Sequence, residues 1–249
     1  MTFVEMLCPS SALFLDFDGT MVDIAPQPEA VRVPQPLIDS MAWLHEYLGG
    51  AVAIISGRTI EQIDAFLHPL RLPVAGVHGA ERRTAGGALN RMAAQPLDTV
   101  QAAAAALVHA HPALRMEHKG SSIALHYRQA PELEALCLTA MQDAVQASTG
   151  LTLLRGKMVA EAKPVGASKG CAVEDFLGEA PFTGRVPLFI GDDITDEVGF
   201  STVQRLGGLG IKVGEGATVA WQRLPDPAAL RHELQAAMAA RTTTRTPAP

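Results

Sequence analysis

The sequence predicts an α/β fold, a doubly wound parallel sheet with an inserted α+β segment, and three observations carry that expectation. Short runs apolar on both faces recur along the chain, as strands buried inside a parallel sheet require. These runs alternate with stretches of helical periodicity. Several of them end in polar or glycine-rich residues, at the sheet edge where open α/β folds place their ligands. The chain has 249 residues, 48% hydrophobic and 18% charged, enough to bury a large core without disulfides or structural metals.

The first strand is Ala12-Leu13-Phe14-Leu15, which runs into Asp16-Phe17-Asp18-Gly19-Thr20. Pro26, Pro28, Pro34 and Pro36 mark the loop that follows. Leu37, Met41, Leu44 and Leu48 then recur on one face of a helix over 36–49, and Gly49-Gly50 stops it. Ala51-Val52-Ala53-Ile54-Ile55 is the second strand, ending in Ser56-Gly57-Arg58. A short helix over 59–67 leads to a strand over 74–77 that ends in His78-Gly79-Ala80-Glu81.

Near Met92 the pattern changes. An alanine-rich helix over 96–110 precedes a hairpin of 114–119 and 122–128 around Gly120. A helix over 131–149 precedes a second hairpin, 151–155 and 158–161, around Gly156-Lys157. This α+β module is assigned to residues 94–163, leaving 1–93 and 164–249 for the core. The α/β pattern resumes with a helix over 168–177 and a strand over 186–190 ending in Gly191-Asp192-Asp193-Ile194-Thr195-Asp196-Glu197. A glycine-rich strand over 207–213 and a helix over 226–240 follow, and the tail 241–249 is expected to fray.

A net charge of −6 gives no footprint of a nucleic-acid binder. Cys8, Cys137 and Cys171 form no CxxC pair and read as free thiols in a reducing compartment, with Cys171 expected to pack in a helix. No apolar run approaches the ~18 residues a bilayer span needs, and the N-terminus has no basic region. The expectation is a cytoplasmic protein without membrane partners. A single insertion on a short linker favours a monomer.

The chemistry lies at the strand ends. Asp16 and Asp18 follow one buried strand; Asp192, Asp193 and Asp196 follow another. Carboxylates gathered at one sheet edge repel unless a cation lies between them, and hard oxygen ligands suit Mg²⁺. The plainer alternative is acidic strand ends and helix caps. A carboxylate beside such a cation can attack phosphorus. Asp16, first out of the strand, is best placed as nucleophile, and Asp18 as the acid and then base. Ser56 and Lys169 are the candidates to hold the phosphate. In the insertion, Glu117 and Lys119 share one face of a strand, with His126 and Arg128 on its partner and Glu161 and Lys163 where the chain returns. Glu117 and Lys119 bracket a polyol or form a weak surface ion pair. His78 touches substrate or is a structural turn histidine. His109 and His111 close a helix, where His suits the C-terminal dipole.

Asp16-Phe17-Asp18-Gly19-Thr20, Ser56, Lys169 and Gly191-Asp192-Asp193 are similar, in order and spacing, to the four motifs of the haloacid dehalogenase-like phosphatase superfamily. The resemblance implies Mg²⁺ bound by Asp16, the Asp18 main-chain carbonyl and Asp192, with Asp193 and Asp196 behind them or acting through water. It also implies that the insertion is a cap. Ser56-Gly57-Arg58, His78-Gly79-Ala80-Glu81, Glu117-His118-Lys119-Gly120, Leu125-His126-Tyr127-Arg128, Glu161-Ala162-Lys163-Pro164 and the run through Thr195-Asp196-Glu197 resemble the trehalose-6-phosphate phosphatase family. That resemblance places Glu117, Lys119 and Glu161 at the distal glucose, adds Gly57, Arg58, His78, His126 and Arg128 to the substrate site, and makes a small sugar phosphate the partner. Departures are modest: Ala162-Lys163 stands where an apolar-Arg pair is common, and Ser168 where Asn or Asp often precedes the lysine. A phosphatase for sucrose 6-phosphate or mannosyl-3-phosphoglycerate, a phosphohexomutase and a non-catalytic sugar-phosphate sensor remain as rivals.

Overall fold

The computed structural model describes residues 6–25 and 27–242. Pro26 of the proline-marked loop, the start of the chain through Glu5 and the tail from residue 243 lie outside the described residues. The first half comprises β1 (Ser11–Leu15), α1 (Gln35–Tyr47), β2 (Val52–Ile55), α2 (Ile60–Leu67), β3 (Val74–Gly76), β4 (Glu81–Arg83) and β5 (Leu89–Arg91). Next come α3 (Asp98–Ala110), β6 (Arg115–His118), β7 (Ile123–His126), α4 (Glu134–Gln146), β8 (Leu151–Gly156) and β9 (Val159–Pro164). The chain closes with α5 (Lys169–Leu177), β10 (Val186–Gly191), α6 (Glu197–Arg205), β11 (Leu209–Val213), β12 (Gln222–Leu224) and α7 (Pro227–Thr242).

Among the described residues the strands form two sheets. The larger has the order β12-β11-β10-β1-β2-β3-β4-β5, parallel from β12 to β3 and antiparallel over the last two strands. From β1 the chain steps one way, through α1 to β2; from β10 it steps the other way, through α6 to β11. Right-handed crossovers running in opposite directions put their helices on opposite faces, which is the doubly wound arrangement. The direction reverses between β1 and β10, so a crevice opens at their C-terminal ends. Every residue of β1 is buried, and Phe14 stacks on Phe182 with ring centroids 5.6 Å apart.

The smaller sheet, β6-β7-β9-β8, is antiparallel and carries α3 and α4. It buries an apolar cluster of its own, including Val100, Ile123, Leu125, Met141 and Ala160, which shares no residue with the cluster under the large sheet.

Three elements were absent from the sequence reading. The hairpin β4–β5 is short and polar, with β5 exposed throughout, so it shows no buried-strand pattern. Helix α6, Glu197–Arg205, buries one face through Gly199, Phe200, Thr202 and Val203, but its nine residues are polar on balance and begin inside the acidic run after β10, which masks it in the sequence. β12 is three residues long with no buried position. Cys171 corrects its expected packing role: it is exposed on α5. Among the described residues no helix is long and apolar enough to cross a membrane.

Candidate active site

Asp16 leaves β1 with its backbone N–H bonded to the Ile190 carbonyl of β10 at 2.9 Å, which places it at the reversal point. The turn that follows needs glycine twice over. Gly19 has φ +79°, and a Cβ there would lie 2.2 Å from Asp192 Oδ2. Thr20 Oγ1 donates to Asp16 Oδ2 at 3.0 Å. Lys169 opens α5, against the helix dipole, and is only 4% exposed. Its position is explained by its partners: Nζ donates to Asp16 Oδ1 at 2.7 Å and to Asp196 Oδ1 at 2.6 Å. Asp196 also accepts the backbone N–H groups of Asp192 at 3.0 Å and Asp193 at 2.9 Å, so it shapes the loop after β10. Asp193 caps the short helical turn that follows, accepting from the Ile194 N–H at 2.8 Å. Lys212 of β11 donates to the Asp192 carbonyl.

Oxygen atoms of Asp16, Asp192 and Asp196 lie within 4.8 Å of one another. Burial pushes the Asp16 carboxyl well above the usual carboxylate range; Lys169 opposes this, while Asp196 and Asp192 add to it. Burial likewise pushes Asp192 up to about 6, with the Asp196 charge adding and Lys169 opposing. For Lys169, burial acts against the charge, but Asp16 and Asp196 outweigh it and hold the ammonium protonated. The one buried ammonium, with the exposed Lys157 beyond it, does not balance three carboxylates, and the donors are all hard oxygens. The cluster therefore fits a small divalent cation such as Mg²⁺.

Beside this floor, β2 and β3 supply the second wall. Ser56 is buried at the end of β2, and its Oγ accepts the Arg58 N–H at 3.2 Å. After β3 the backbone turns through Val77 at φ 49° and His78 at φ 56°. Such left-handed geometry is costly for a β-branched residue. It is held by Val77 N–H to the Arg58 carbonyl and His78 N–H to the Ser56 carbonyl, each 2.9 Å. The ring of His78 is thereby set 3.5 Å from Glu161 and against Gly57, where a Cβ would meet Nε2 at 2.7 Å. Burial lowers the His78 pKa, with Glu161 opposing. Arg58 grips Asp18 with both arms of its fork, Nε to Oδ2 at 2.6 Å and a terminal nitrogen to Oδ1 at 2.7 Å. Its guanidinium, expected at the substrate, is committed to Asp18 here.

The small sheet forms the roof. Lys119 Nζ donates to Glu161 Oε2 and to the Gly57 carbonyl, each at 3.0 Å. Ser122 Oγ donates to Glu161 Oε1 at 2.6 Å. Glu117 accepts from Gln62 Nε2 at 3.1 Å and lies 2.9 Å from His126 Nε2. Burial acts to raise both carboxyls. For Glu117 the His126 hydrogen bond, the Lys119 charge and the Gln62 hydrogen bond prevail and bring it to about 2. For Glu161, Lys119, His78 and Ser122 hold it well below the carboxylate range. Arg128 is exposed and donates to the Lys157 carbonyl at 3.2 Å.

Floor, wall and roof line an open cavity of about 340 Å³. Asp16, Asp18, Ser56, Gly57, Arg58, His78, Glu117, Lys119, His126, Arg128, Glu161, Lys169, Asp192 and Asp193 all line it. Asp196 is fully buried behind them. Lys163, noted where the chain returns to the core, is turned to the Ala167 carbonyl instead. Several lining residues escaped the sequence reading. Lys157, at the β8–β9 turn, lies 3.7 Å from Asp192; as an exposed turn lysine it carries no sequence signal. The loop residues Ile24, Gln27 and Val31 and the β6 residue Arg115, which pairs with Glu29, also line the cavity. Lys212, which does not line the cavity but reaches the Asp192 carbonyl, did carry a signal, a charge inside the apolar run Gly210-Ile211-Lys212-Val213.

Known proteins resemble this chain along nearly its whole length. A trehalose-phosphatase family profile matches residues 14–224. The chain is similar to the trehalose-6-phosphate phosphatase of Escherichia coli (strain K12), 43% identical over 233 residues that span 90% of this chain and 85% of that protein. A crystal structure of a trehalose-6-phosphate phosphatase related protein superposes with a TM-score of 0.76 at 25% identity, covering 94% of this chain and 99% of that one. A phosphatase of the haloalkanoate (HAD) superfamily from Bacteroides thetaiotaomicron shares the fold, with a TM-score of 0.60 at 18% identity over 90% of this chain and 94% of that one.

Proposed function

The chain belongs to the trehalose-phosphatase family and is a phosphoric monoester hydrolase, and from that premise we propose that it hydrolyses trehalose 6-phosphate to trehalose and inorganic phosphate. One observation carries the reading: the carboxylate floor that suits phosphoryl transfer and the Glu117–Lys119–Glu161 roof that suits sugar hydroxyls face the same cavity. The three free cysteines accord with a cytoplasmic setting.

Lys169 and Ser56 hold the phosphate oxygens, and Lys169 eases the repulsion between phosphate and Asp16. An Asp16 carboxylate oxygen attacks phosphorus. As that bond forms, the bond from phosphorus to the sugar oxygen breaks, and Asp18 delivers a proton to the leaving oxygen. Arg58 must first release Asp18, and the incoming substrate's charge offers the guanidinium an alternative partner. Trehalose departs and leaves an aspartyl-phosphate on Asp16. Asp18 then takes a proton from water as the water oxygen attacks phosphorus; the bond to Asp16 breaks and phosphate leaves. Asp16, Asp192 and the Asp18 carbonyl, with Asp193 and Asp196 behind them, would hold Mg²⁺, which would supply positive charge against the phosphate.

Residues 94–163 act in this reading as a cap that closes over the sugar and excludes bulk water, hinged near 92–94 and 163–166. Glu117, Lys119 and Glu161 bind the distal glucose, supported by His126, His78, Gly57 and Arg128. Rapid acid quenching with phosphorus-labelled trehalose 6-phosphate tests the covalent step. Label should travel with the protein during turnover and be absent from Asp16→Asn; labelled Asp16→Asn protein defeats the assignment.

A further inference from the structure

Gln62 belongs to the core helix α2, yet its side chain ends on the inserted segment. Its Oε1 accepts the Thr59 backbone N–H at 3.0 Å, and its own backbone N–H donates to Thr59 Oγ1 at 3.2 Å. This is a reciprocal helix cap. A backbone N–H only donates, so the amide oxygen must face Thr59 and the NH₂ must face outward. There it meets Glu117 Oε1 at 3.1 Å. The other carboxylate oxygen of Glu117 lies 2.9 Å from His126 Nε2 and 4.0 Å from Lys119 Nζ. His126 and Lys119 travel with the same small sheet as Glu117. Gln62 is its hydrogen-bond donor from the core among the described residues. Gln62 itself does not line the cavity.

Resting on the reading of this site as a trehalose-6-phosphate phosphatase, we propose that Gln62 is a positioning residue that orients Glu117 for the sugar only when the inserted segment is seated on the core. With the segment lifted, Glu117 keeps its contacts within the small sheet and loses the one that fixes Oε1. Seating of the segment and completion of the sugar site are then one event, because the same hydrogen bond serves both. The orientation comes from the Thr59 backbone N–H, which holds the amide oxygen and which Thr59→Ala retains.

The test compares steady-state kinetics on trehalose 6-phosphate and the Tm of wild type, Gln62→Glu, Gln62→Leu and Thr59→Ala. Gln62→Glu keeps an acceptor for the Thr59 N–H, since Glu serves in this cap as well as Gln, but turns a carboxylate toward Glu117. Both Gln62 variants should raise KM on the order of tenfold with kcat changed far less, and Gln62→Glu should still unfold in one cooperative thermal transition. Thr59→Ala should lower Tm and leave KM at its wild-type value. In a Glu117→Ala background, Gln62→Leu should raise KM no further. A wild-type KM in both Gln62 variants overturns the proposal, as does an equal KM rise in Thr59→Ala or an unchanged Gln62→Leu effect in the Glu117→Ala background. If wild type releases no phosphate from trehalose 6-phosphate, the functional reading falls and the role of Gln62 with it. If wild type does release it while the Gln62 variants match, only the positioning role falls.

Discussion

Lys169 sits where a helix N-terminus disfavours a cation, and buried besides, which only its two carboxylate partners make tolerable. Replacing it with methionine leaves Asp16 and Asp196 without their counter-charge. Lys169→Met should therefore cost on the order of 3 kcal/mol in denaturant unfolding as well as abolishing turnover. A variant with wild-type stability would show that the lysine serves the phosphate alone. Glu117 gives a residue-scale pH effect. Its folded value of about 2 lies below the ordinary 4.5, so the fold favours its charged form. That contribution is complete above pH 4.5 and is lost as pH falls toward 2. Glu117→Gln should flatten the Tm profile across this window; a profile as steep as that of wild type contradicts the assignment.

At the scale of elements, the strands that position the chemistry were legible because parallel burial leaves a plain mark. Ala12–Leu15 and 186–190 are apolar on both faces and end abruptly in carboxylates, and they are β1 and β10. What escaped were elements too short or too polar on balance to stand out. Helix α6 packs through Gly199, where a Cβ would lie 2.9 Å from the Phe189 ring, and close approach of that kind does not show as periodicity. The Arg58–Asp18 pair joins residues forty positions apart in the chain, across two strand ends, so no local spacing announces it. The turn after β3 is similar, since its left-handed Val77 and His78 can be seen only in three dimensions. Gly57 tests that turn. Gly57→Ala sets a methyl against the His78 ring and should cost about 1–3 kcal/mol while raising KM through the displaced ring. Unchanged Tm and KM would mean that the turn yields freely.

For the whole molecule, the reversal of strand order between β1 and β10 explains why residues as distant as Asp16, Ser56, Lys169 and Asp192 share one crevice. The order of the motifs foretold that gathering, whereas the roof contacts depend on how the small sheet settles, and Gln62, Lys157 and Arg115 went unseen for that reason. The carboxylate floor predicts a global effect of metal. Mg²⁺ should raise the Tm of wild type, and the rise should vanish in Asp192→Asn; an equal rise in that variant places the cation elsewhere. The central claim is that one cavity joins phosphoryl transfer to recognition of a disaccharide. Phosphate release with Mg²⁺ across trehalose 6-phosphate, sucrose 6-phosphate, mannosyl-3-phosphoglycerate and glucose 6-phosphate, with Asp16→Asn and Glu117→Ala alongside, measures both halves together. The account predicts a sharp preference for trehalose 6-phosphate that Glu117→Ala erodes and Asp16→Asn eliminates. Preference for another sugar phosphate, or turnover by Asp16→Asn, would contradict it.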